Sequence, residues 1–187
     1  MSGPSRIRRG PDASRRPPIR APRAAGTFGA DRLCAVRVTA RVDYAVRALV
    51  QLAADASVTP VKAEHLATAQ QIPLKFLLEI LRQLKQHKLL VSRRGPEGGY
   101  TLARPPAEIA IADVIRAVEG PLATVRDTSP ATLDYEGPTE SLRTVWIAVR
   151  GSLRHVLEDV TLQDVMSGRL PRHVVAIADK YGVDERP

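Results

Sequence analysis

The chain has 187 residues, 44% of them hydrophobic, and its 28 Lys and Arg outnumber 20 Asp and Glu, giving a formal net charge of +8. That length suits one ordinary domain or two small ones with an apolar core. The single cysteine excludes an intramolecular disulfide framework, a cysteine-based zinc site and an iron–sulfur cluster held by one chain. No run approaches the ~18 apolar residues of a bilayer span, so we expect no integral membrane protein. The basic balance favours an anionic partner, with nucleic acid ahead of a membrane surface.

The charge is unevenly distributed along the chain. Residues 1–35 hold eight arginines, two aspartates and five prolines without a periodic apolar face, so this Arg/Pro-rich extension is expected to be disordered. We interpret it as a solvated tail or a start assigned too early, with a nucleic-acid anchor and a transit peptide as alternatives. Residues 36–105 carry a net charge of +6 and residues 106–187 a net charge of −4. The ordered part is therefore basic in its first half and acidic in its second.

Three helices are predicted in the basic half. Apolar residues recur every three or four positions over 40–54, with Thr39 as N-cap. A second helix is predicted near 62–69, and after a short turn Pro73 is expected at the first position of a third helix, which runs to His87. The inward residues of the third helix are expected to be Leu74, Leu77, Leu78, Leu81 and Leu84. Two helices joined by a tight turn, the second polar and basic outside, are typical of a helix-turn-helix.

A β-hairpin is predicted directly after this unit. Residues 89–91 and 100–102 have strand character, and residues 95–99 place three glycines and a proline between them. Glycine supplies the positive φ that such a tip requires. A hairpin in this position is the wing of a winged helix-turn-helix domain, which we expect over 36–105. The alternative of a phosphate-binding glycine loop lacks the strand–loop–helix context with Gly-Lys-Ser/Thr.

The acidic half is predicted to contain a short helix at 111–118, a polar stretch and a long helix over 139–160. Apolar residues of the long helix follow a 3.5-residue repeat, typical of two helices packed lengthwise: Leu142, Trp146, Val149, Leu153, Val156 and Val160. At 1.5 Å per residue this helix would be about 33 Å long, more than a small winged domain covers. We therefore predict a dimerisation helix anchored by Trp146, with packing on its own domain as the alternative. Residues 106–168 are assigned to a linker and this helix, and 169–187 to a C-terminal tail.

Several segments carry recognisable motifs in a fixed order. They are Val36–Thr39, Asp43–Leu49, Ile72–Leu77, the wing Arg94–Tyr100, and Ile111–Gly120. Together they resemble the IscR/NsrR-type winged-helix regulators of bacteria, the Rrf2 family, over residues 36–168. The resemblance implies a mainly α fold with a small β-hairpin wing and a C-terminal dimerisation helix. It also implies a cytoplasmic, nucleoid-associated homodimer that binds a two-half-site operator in double-stranded DNA, as a sequence-specific repressor.

One departure from that family is informative. Its cluster-bearing members hold an iron–sulfur centre with three cysteines between the post-wing helix and the long helix, but residues 121–139 contain none, and Cys34 lies outside the matched region. Asp43 falls where some nitric-oxide-sensing members supply an aspartate ligand, and we interpret it as a cap or ion-pair partner in the first helix. The resemblance therefore implies a member without a cluster or other cofactor, which answers to an unknown small-molecule or protein effector.

A symmetric dimer would place two third helices in successive major grooves, about 34 Å apart. Lys75 is expected at guanine and Phe76 at a thymine methyl, unless Phe76 packs in the core. Leu78 falls where some family members carry a base-contacting glutamate, so the operator is expected to differ. The predicted DNA contacts lie at the start of the third helix, on the wing and at the start of the first helix: Pro73, Lys75, Phe76 and Glu79; Arg93, Arg94, Gly95, Gly98 and Gly99; Thr39, Arg41 and Tyr44.

Other function classes find less support in the sequence. Its four histidines show no metal-ligand spacing, and no Ser/His/Asp or Cys/His constellation is present, so neither an enzyme nor a metal site is expected. Cys34 in a basic tail suggests a thiol redox switch as a weaker hypothesis. A regulator that works mainly through a protein partner and binds DNA weakly is the remaining alternative.

Overall fold

The computed structural model describes residues 38–55, 60–126 and 128–182, so the predicted extension and Cys34 lie outside the described residues. The fold is mainly helical with one two-stranded antiparallel hairpin, which confirms the predicted fold class. The elements in chain order are α1 (Ala40–Ala54), α2 (Ala63–Gln70), α3 (Leu74–Gln86), β1 (Leu90–Arg93), β2 (Gly99–Leu102), α4 (Ile111–Glu119), α5 (Leu142–Leu157), α6 (Leu162–Ser167) and α7 (Arg172–Tyr181). Among the described residues, no helix combines the length and the apolar character needed to cross a membrane.

Helix α1 occupies the predicted residues because its start is capped and its apolar face is continuous. The Thr39 hydroxyl oxygen accepts a hydrogen bond from the Val42 amide at 3.3 Å, as expected of an N-cap. One face of the helix is buried: Val42, Ala45, Ala48, Leu49, Leu52 and Ala53. Helix α1 is therefore the central element, on which α2, α3, α4 and α6 pack.

The turn between α2 and α3 fixes how α3 is presented. Gln71 ends α2 in the left-handed conformation with φ 53°, and the Ile72 amide donates to the Ala67 carbonyl oxygen at 2.9 Å. Ile72 is buried and anchors the turn in the core. Pro73 lies just before α3 as its N-cap, rather than at the first helical position as predicted. Its carbonyl oxygen accepts from the Leu77 amide at 2.9 Å, so α3 begins at a defined point.

The buried face of α3 differs from the prediction at two leucines. The core residues of this helix are Leu77, Ile80, Leu81 and Leu84. Leu74 and Leu78, which we expected to point inward, are 37% and 43% exposed. Each residue turns an α-helix by about 100°, so Leu78 lies more than a quarter-turn beyond Leu77 and off the buried face. Leu74 lies in the first turn, where only one side of the helix meets the core.

A third segment fastens the wing to the domain. Strands β1 and β2 pair antiparallel close to the predicted positions. The Val61 amide donates to the Tyr100 carbonyl oxygen at 2.9 Å, and the Tyr100 amide donates to the Val61 carbonyl oxygen at 2.8 Å. A Cβ on Gly99 would lie 2.5 Å from that Val61 oxygen. Glycine is required at this position because the two backbones approach so closely.

The chain after the wing returns to the same core. Ile109, Val114 and Leu162 are fully buried, and the Ile111 amide donates to the Val160 carbonyl oxygen at 2.9 Å. Helices α4 and α6 thus complete the winged domain, and a boundary at residue 105 does not separate two cores. The prediction of Val160 as a dimer-interface residue is wrong, because its side chain is buried within its own chain.

Helix α5 is shorter than predicted. It spans 16 residues, about 24 Å, instead of residues 139–160. The chain leaves the helix after Leu157 so that Val160 is buried, and Thr161 and Asp164 form a capping box that starts α6. In the sequence, the apolar repeat of α5 extends to Val160, which lies beyond the end of the helix and belongs to the core. The predicted C-terminal tail also needs correction, because α7 lies within it.

Candidate nucleic-acid interface

The outward face of α3 combines basic, acidic and apolar side chains. Lys75, Glu79 and Arg82 are exposed on it together with Leu78, and Phe76 is 42% exposed. The opposite face of the helix is buried, so these side chains project from a fixed base. Such a set can donate and accept hydrogen bonds and make apolar contacts at base edges in a major groove.

Phe76 is neither a core residue nor an isolated surface residue. Its ring meets the Tyr44 ring edge-on, with centroids 5.8 Å apart and planes at 85°. The Arg47 guanidinium lies 5.6 Å from the centroid of Tyr44 and donates from Nε to Gln70 Oε1 at 3.1 Å. Arg47 also pairs with Asp43 at 3.2 Å, which gives Asp43 the ion-pair role interpreted from the sequence. The starts of α1 and α3 are thus joined in one surface.

Glu79 is held between two arginines. Its carboxylate accepts a hydrogen bond from Arg82 on α3 at 2.7 Å, and Arg41 of α1 lies 3.8 Å away. The hydrogen bond from Arg82 keeps the pKa of the Glu79 carboxyl below its ordinary value, and the charges of Arg82 and Arg41 act in the same direction. The ionised carboxylate is therefore fixed as an acceptor, in a cluster that carries one excess positive charge.

Thr39 serves the fold at this surface. Its hydroxyl oxygen caps α1, and its O–H donates to a carboxylate oxygen of Glu119 at the end of α4. These bonds engage the side chain within the chain, whereas Arg41 and Tyr44 contact residues of α3. The phosphate contact of Thr39 stays a prediction.

The wing presents two arginines on a tight turn. Arg93 and Arg94 are exposed, and neither forms an ion pair with a residue that the structure describes. Gly95 has φ 107°, and the Gly98 amide donates to its carbonyl oxygen at 2.9 Å. A Cβ on Gly98 would lie 2.4 Å from the Arg93 carbonyl oxygen. Glycine therefore lets the tip close, and both arginines remain exposed beside it.

Two arginines of this surface, Arg82 and Arg47, were not among the predicted contacts. Arg82 follows Glu79 by three positions and Arg47 follows Asp43 by four, spacings at which side chains meet on a helix. That spacing was an available signal for both. No signal in the sequence indicated the contact between the rings of Tyr44 and Phe76, because the two residues are distant in sequence and meet only through the packing of α1 on α3.

An apolar cleft of about 540 Å³ lies between α4, residues 120–126 and α5. Its α5 wall consists of Trp146, Val149, Leu153 and Leu157. Three residues predicted for the dimer seam therefore face their own chain, as the alternative interpretation of the long helix proposed. The charged side chains at the cleft are those of Glu119 and Arg126.

The lining of this cleft does not fit an iron–sulfur cluster. The resemblance places the centre of cluster-bearing members within residues 121–139, which contain no cysteine and no histidine. The lining offers a single carboxylate, that of Glu119. Such clusters are held by several thiolates, and the chain has one cysteine.

Apolar side chains remain exposed along α5 and α7. No residue of either helix is buried. Val156 of the predicted seam is half-buried. The exposed set is Leu142, Val145 and Ile147 on α5 and Val175, Ile177 and Tyr181 on α7. Several large apolar side chains are therefore exposed on these two helices.

Comparison with known proteins relates this architecture to transcription regulators. The model of the Rrf2 family, described as an iron-dependent transcriptional regulator, matches residues 38–168. An HTH-type transcriptional regulator of Mycobacterium tuberculosis is 54% identical over 150 residues, which cover 80% of this chain and 93% of that protein. The HTH-type transcriptional regulator CymR of Bacillus subtilis is 28% identical over 132 residues, which cover 71% of this chain and 91% of that protein.

Solved structures show the same fold. The structure of CymR, described as the global cysteine regulator of B. subtilis, matches with a TM-score of 0.61 at 28% identity, over 72% of this chain and 98% of that one. The structure of IscR from T. potens matches with a TM-score of 0.58 at 29% identity, over 71% of this chain and 88% of that one.

Proposed function

Because this chain belongs to the Rrf2 family of transcriptional regulators, we propose that it is a homodimeric repressor. In this proposal the protein holds no iron–sulfur cluster and binds an operator made of two half-sites. The observation that carries the proposal is the outward face of α3, which is held by its buried face and followed directly by the arginines of the wing. Two such helices related by a two-fold axis enter successive major grooves about 34 Å apart. The protein acts at the chromosome, in the bacterial cytoplasm, and performs no catalysis.

Base contacts are assigned to the amino-terminal end of α3. Lys75 donates to guanine O6 or N7, and Phe76, supported by Tyr44, presses on a thymine methyl. Glu79, ionised by its arginine partners, accepts from a cytosine amino group. Pro73 starts the helix and sets where its first turn meets the bases.

Phosphate contacts fix the register of the protein on DNA. They are assigned to Arg41 and Tyr44 near the start of α1 and to Thr39 before it. Arg93 and Arg94 enter the adjacent minor groove or hold phosphate. The remaining contact is assigned to the wing backbone at Gly95, which is exposed, whereas Gly98 is buried and Gly99 packs against Val61.

The proposed protein partner is a second copy of this chain. The exposed apolar side chains of α5 and α7 support a two-fold interface, in which the same surface of each protomer faces the other. Leu142 and Val145 are exposed residues of α5. Trp146, Val149 and Leu153 line the cleft behind it, so the cleft adjoins the proposed interface.

The cleft is proposed as an effector site. Its apolar walls, with one acidic and one basic side chain at hand, suit a small, largely apolar metabolite that carries a charged group. Helix α5 is a wall of the cleft and part of the proposed interface. An effector that binds more tightly to the conformation with α5 in one of two placements would favour that conformation. The distance between the two α3 helices of the dimer would then change. A protein effector is the alternative.

Selection of bound fragments from a random double-stranded library, followed by titration of the selected fragment at several salt concentrations, tests the proposal. We expect an enriched palindrome and an affinity that falls steeply with salt. Arg94→Ala should weaken binding, whereas Arg169→Ala, an exposed arginine after α6, should not. Binding without any enriched palindrome would contradict the proposal and favour a regulator that acts mainly through a protein partner.

A further inference from the structure

Three metal-binding side chains converge where α5 ends and α7 begins. His155 lies in the last turn of α5, Asp159 follows that helix, and His173 is the second residue of α7. The Asp159 oxygen Oδ2 lies 3.6 Å from His155 Nδ1 and 3.4 Å from His173 Nε2. One ligand atom of each residue lies within 4.8 Å of the other two. The sequence did not reveal this cluster, because it joins elements separated by α6.

The spacing is close to that of a tetrahedral metal centre. Ligand atoms about 2.0–2.1 Å from Zn²⁺ lie about 3.3 Å from one another in a tetrahedron. Asp159 already has nearly this separation from both histidines. The two imidazole nitrogens are the pair that has to approach. Both rings are partly exposed, at 61% for His155 and 32% for His173, so they can rotate without disturbing a core.

The histidines also hold the start of α7 beside α5. Their rings stack with centroids 4.3 Å apart and planes at 22°, and His173 Nε2 lies 3.3 Å from the His155 carbonyl oxygen. Polar contacts at this cluster therefore position the start of α7, which has no buried residue. A bound ion would replace these contacts with metal–ligand bonds that link α7 to α5.

The carboxylate next to Asp159 in the sequence is already engaged by arginines and is not expected to be a further ligand. The adjacent carboxylate, Glu158, accepts hydrogen bonds from Arg154 at 3.0 Å and from Arg116. Its ligand atoms and its charge are thereby engaged. The fourth position of the centre stays open to water, as in zinc sites with three protein ligands.

We propose that His155, Asp159 and His173 bind one divalent transition-metal ion per chain, with Zn²⁺ as the ion that fits best. Two imidazoles and one carboxylate suit Zn²⁺, and the same donor set also binds Fe²⁺. Mg²⁺ and Ca²⁺ prefer oxygen ligands and are not expected. The site lies outside the cleft and rests on neither DNA binding nor dimer formation.

The test uses the full chain without an affinity tag and with Cys34→Ser, so that the thiol cannot bind metal. Zn²⁺ is titrated in competition with a chromophoric chelator, and we expect one equivalent per chain with a Kd of about 10 µM or tighter. His173→Gln and Asp159→Asn should each weaken Zn²⁺ binding at least about tenfold. Loss of a residue that only hydrogen-bonds to a metal ligand already has an effect of about this size. His87→Gln, which removes a histidine outside the cluster, should retain the parent affinity. Circular dichroism establishes that each variant is folded.

Co²⁺ gives a second measurement. Four-coordinate Co²⁺ absorbs intensely in the visible region, so bound Co²⁺ should colour the parent and not His155→Gln. Tighter binding of Fe²⁺ than of Zn²⁺ under anaerobic conditions would support the site and change the assigned ion. Absence of Zn²⁺ binding below about 100 µM, or equal affinity in the parent and the three cluster variants, would overturn the proposal.

Discussion

Replacement of Gly99 by alanine tests how the wing is attached to the domain. The new Cβ would lie 2.5 Å from the Val61 carbonyl oxygen and 2.7 Å from its carbonyl carbon, and a backbone cannot swing aside as a flexible side chain can. Relief of this overlap requires Val61 and Tyr100 to separate, which breaks their hydrogen bonds of 2.9 and 2.8 Å. Each bond contributes about 0.5–1.5 kcal/mol net. The free energy of unfolding should therefore fall by about 1–3 kcal/mol.

Urea unfolding at a fixed protein concentration measures this change, and amide hydrogen exchange at Val61 and Tyr100 locates it. The matched control is Gly151→Ala, the same substitution in exposed α5, where a Cβ meets no atom within 4 Å. Alanine should stabilise that helix by up to about 1 kcal/mol, so the two variants should shift stability in opposite directions. Unchanged stability in Gly99→Ala, with both amides still protected, would refute the reasoning.

Four further predictions concern single side chains. Arg94→Ala should lower operator affinity by about 1–3 kcal/mol, roughly 5- to 150-fold, in a fluorescence-anisotropy titration at fixed salt; equal affinity would remove this residue from base contacts. Arg82→Ala should raise the pKa of Glu79 toward its ordinary value of 4.5, followed by NMR titration of the carboxyl carbon, and an unmoved midpoint would contradict the hydrogen-bond assignment. Because the folded pKa is lowered, the stability that Glu79 contributes is present above pH 4.5 and is lost as pH falls through the lowered value. Thr161→Val removes the capping hydroxyl of α6 and should cost about 1 kcal/mol in urea unfolding, whereas no loss would show that the cap is dispensable. Val145→Glu should shift sedimentation from dimer to monomer without loss of helicity, and an intact dimer would place the interface elsewhere.

The elements of the winged domain were predictable because their signals are local. The cap at Thr39, the spacing of apolar residues in α1 and the glycines of the wing each act within a few residues. The buried face of α3 was harder to predict from the sequence. Leu74 and Leu78 are exposed, but they are the same residue type as the buried leucines of this helix. The packing of α3 on α1, α2, α4 and β1 decides which of them is buried.

The second half was less predictable because tertiary packing overrides its periodicity. Val160 continues the apolar repeat of α5 in sequence, yet it is buried beside α4 once the helix has ended. Trp146 fits a dimer seam by spacing and lines the cleft of its own chain. The convergence of Asp159 and His173 depends on how α7 lies against α5, and no sequence spacing encodes it.

Hydroxyl-radical footprinting of the selected operator tests the central claim most directly. A dimer that presents two α3 helices should protect two symmetric segments on one face of the duplex, centred about 34–36 Å apart, one helical turn or a multiple of it. In Arg94→Ala the protection that flanks each segment, where the wing is assigned, should weaken while the spacing is retained. A single protected segment, or uniform protection without phasing, would contradict the two-half-site account.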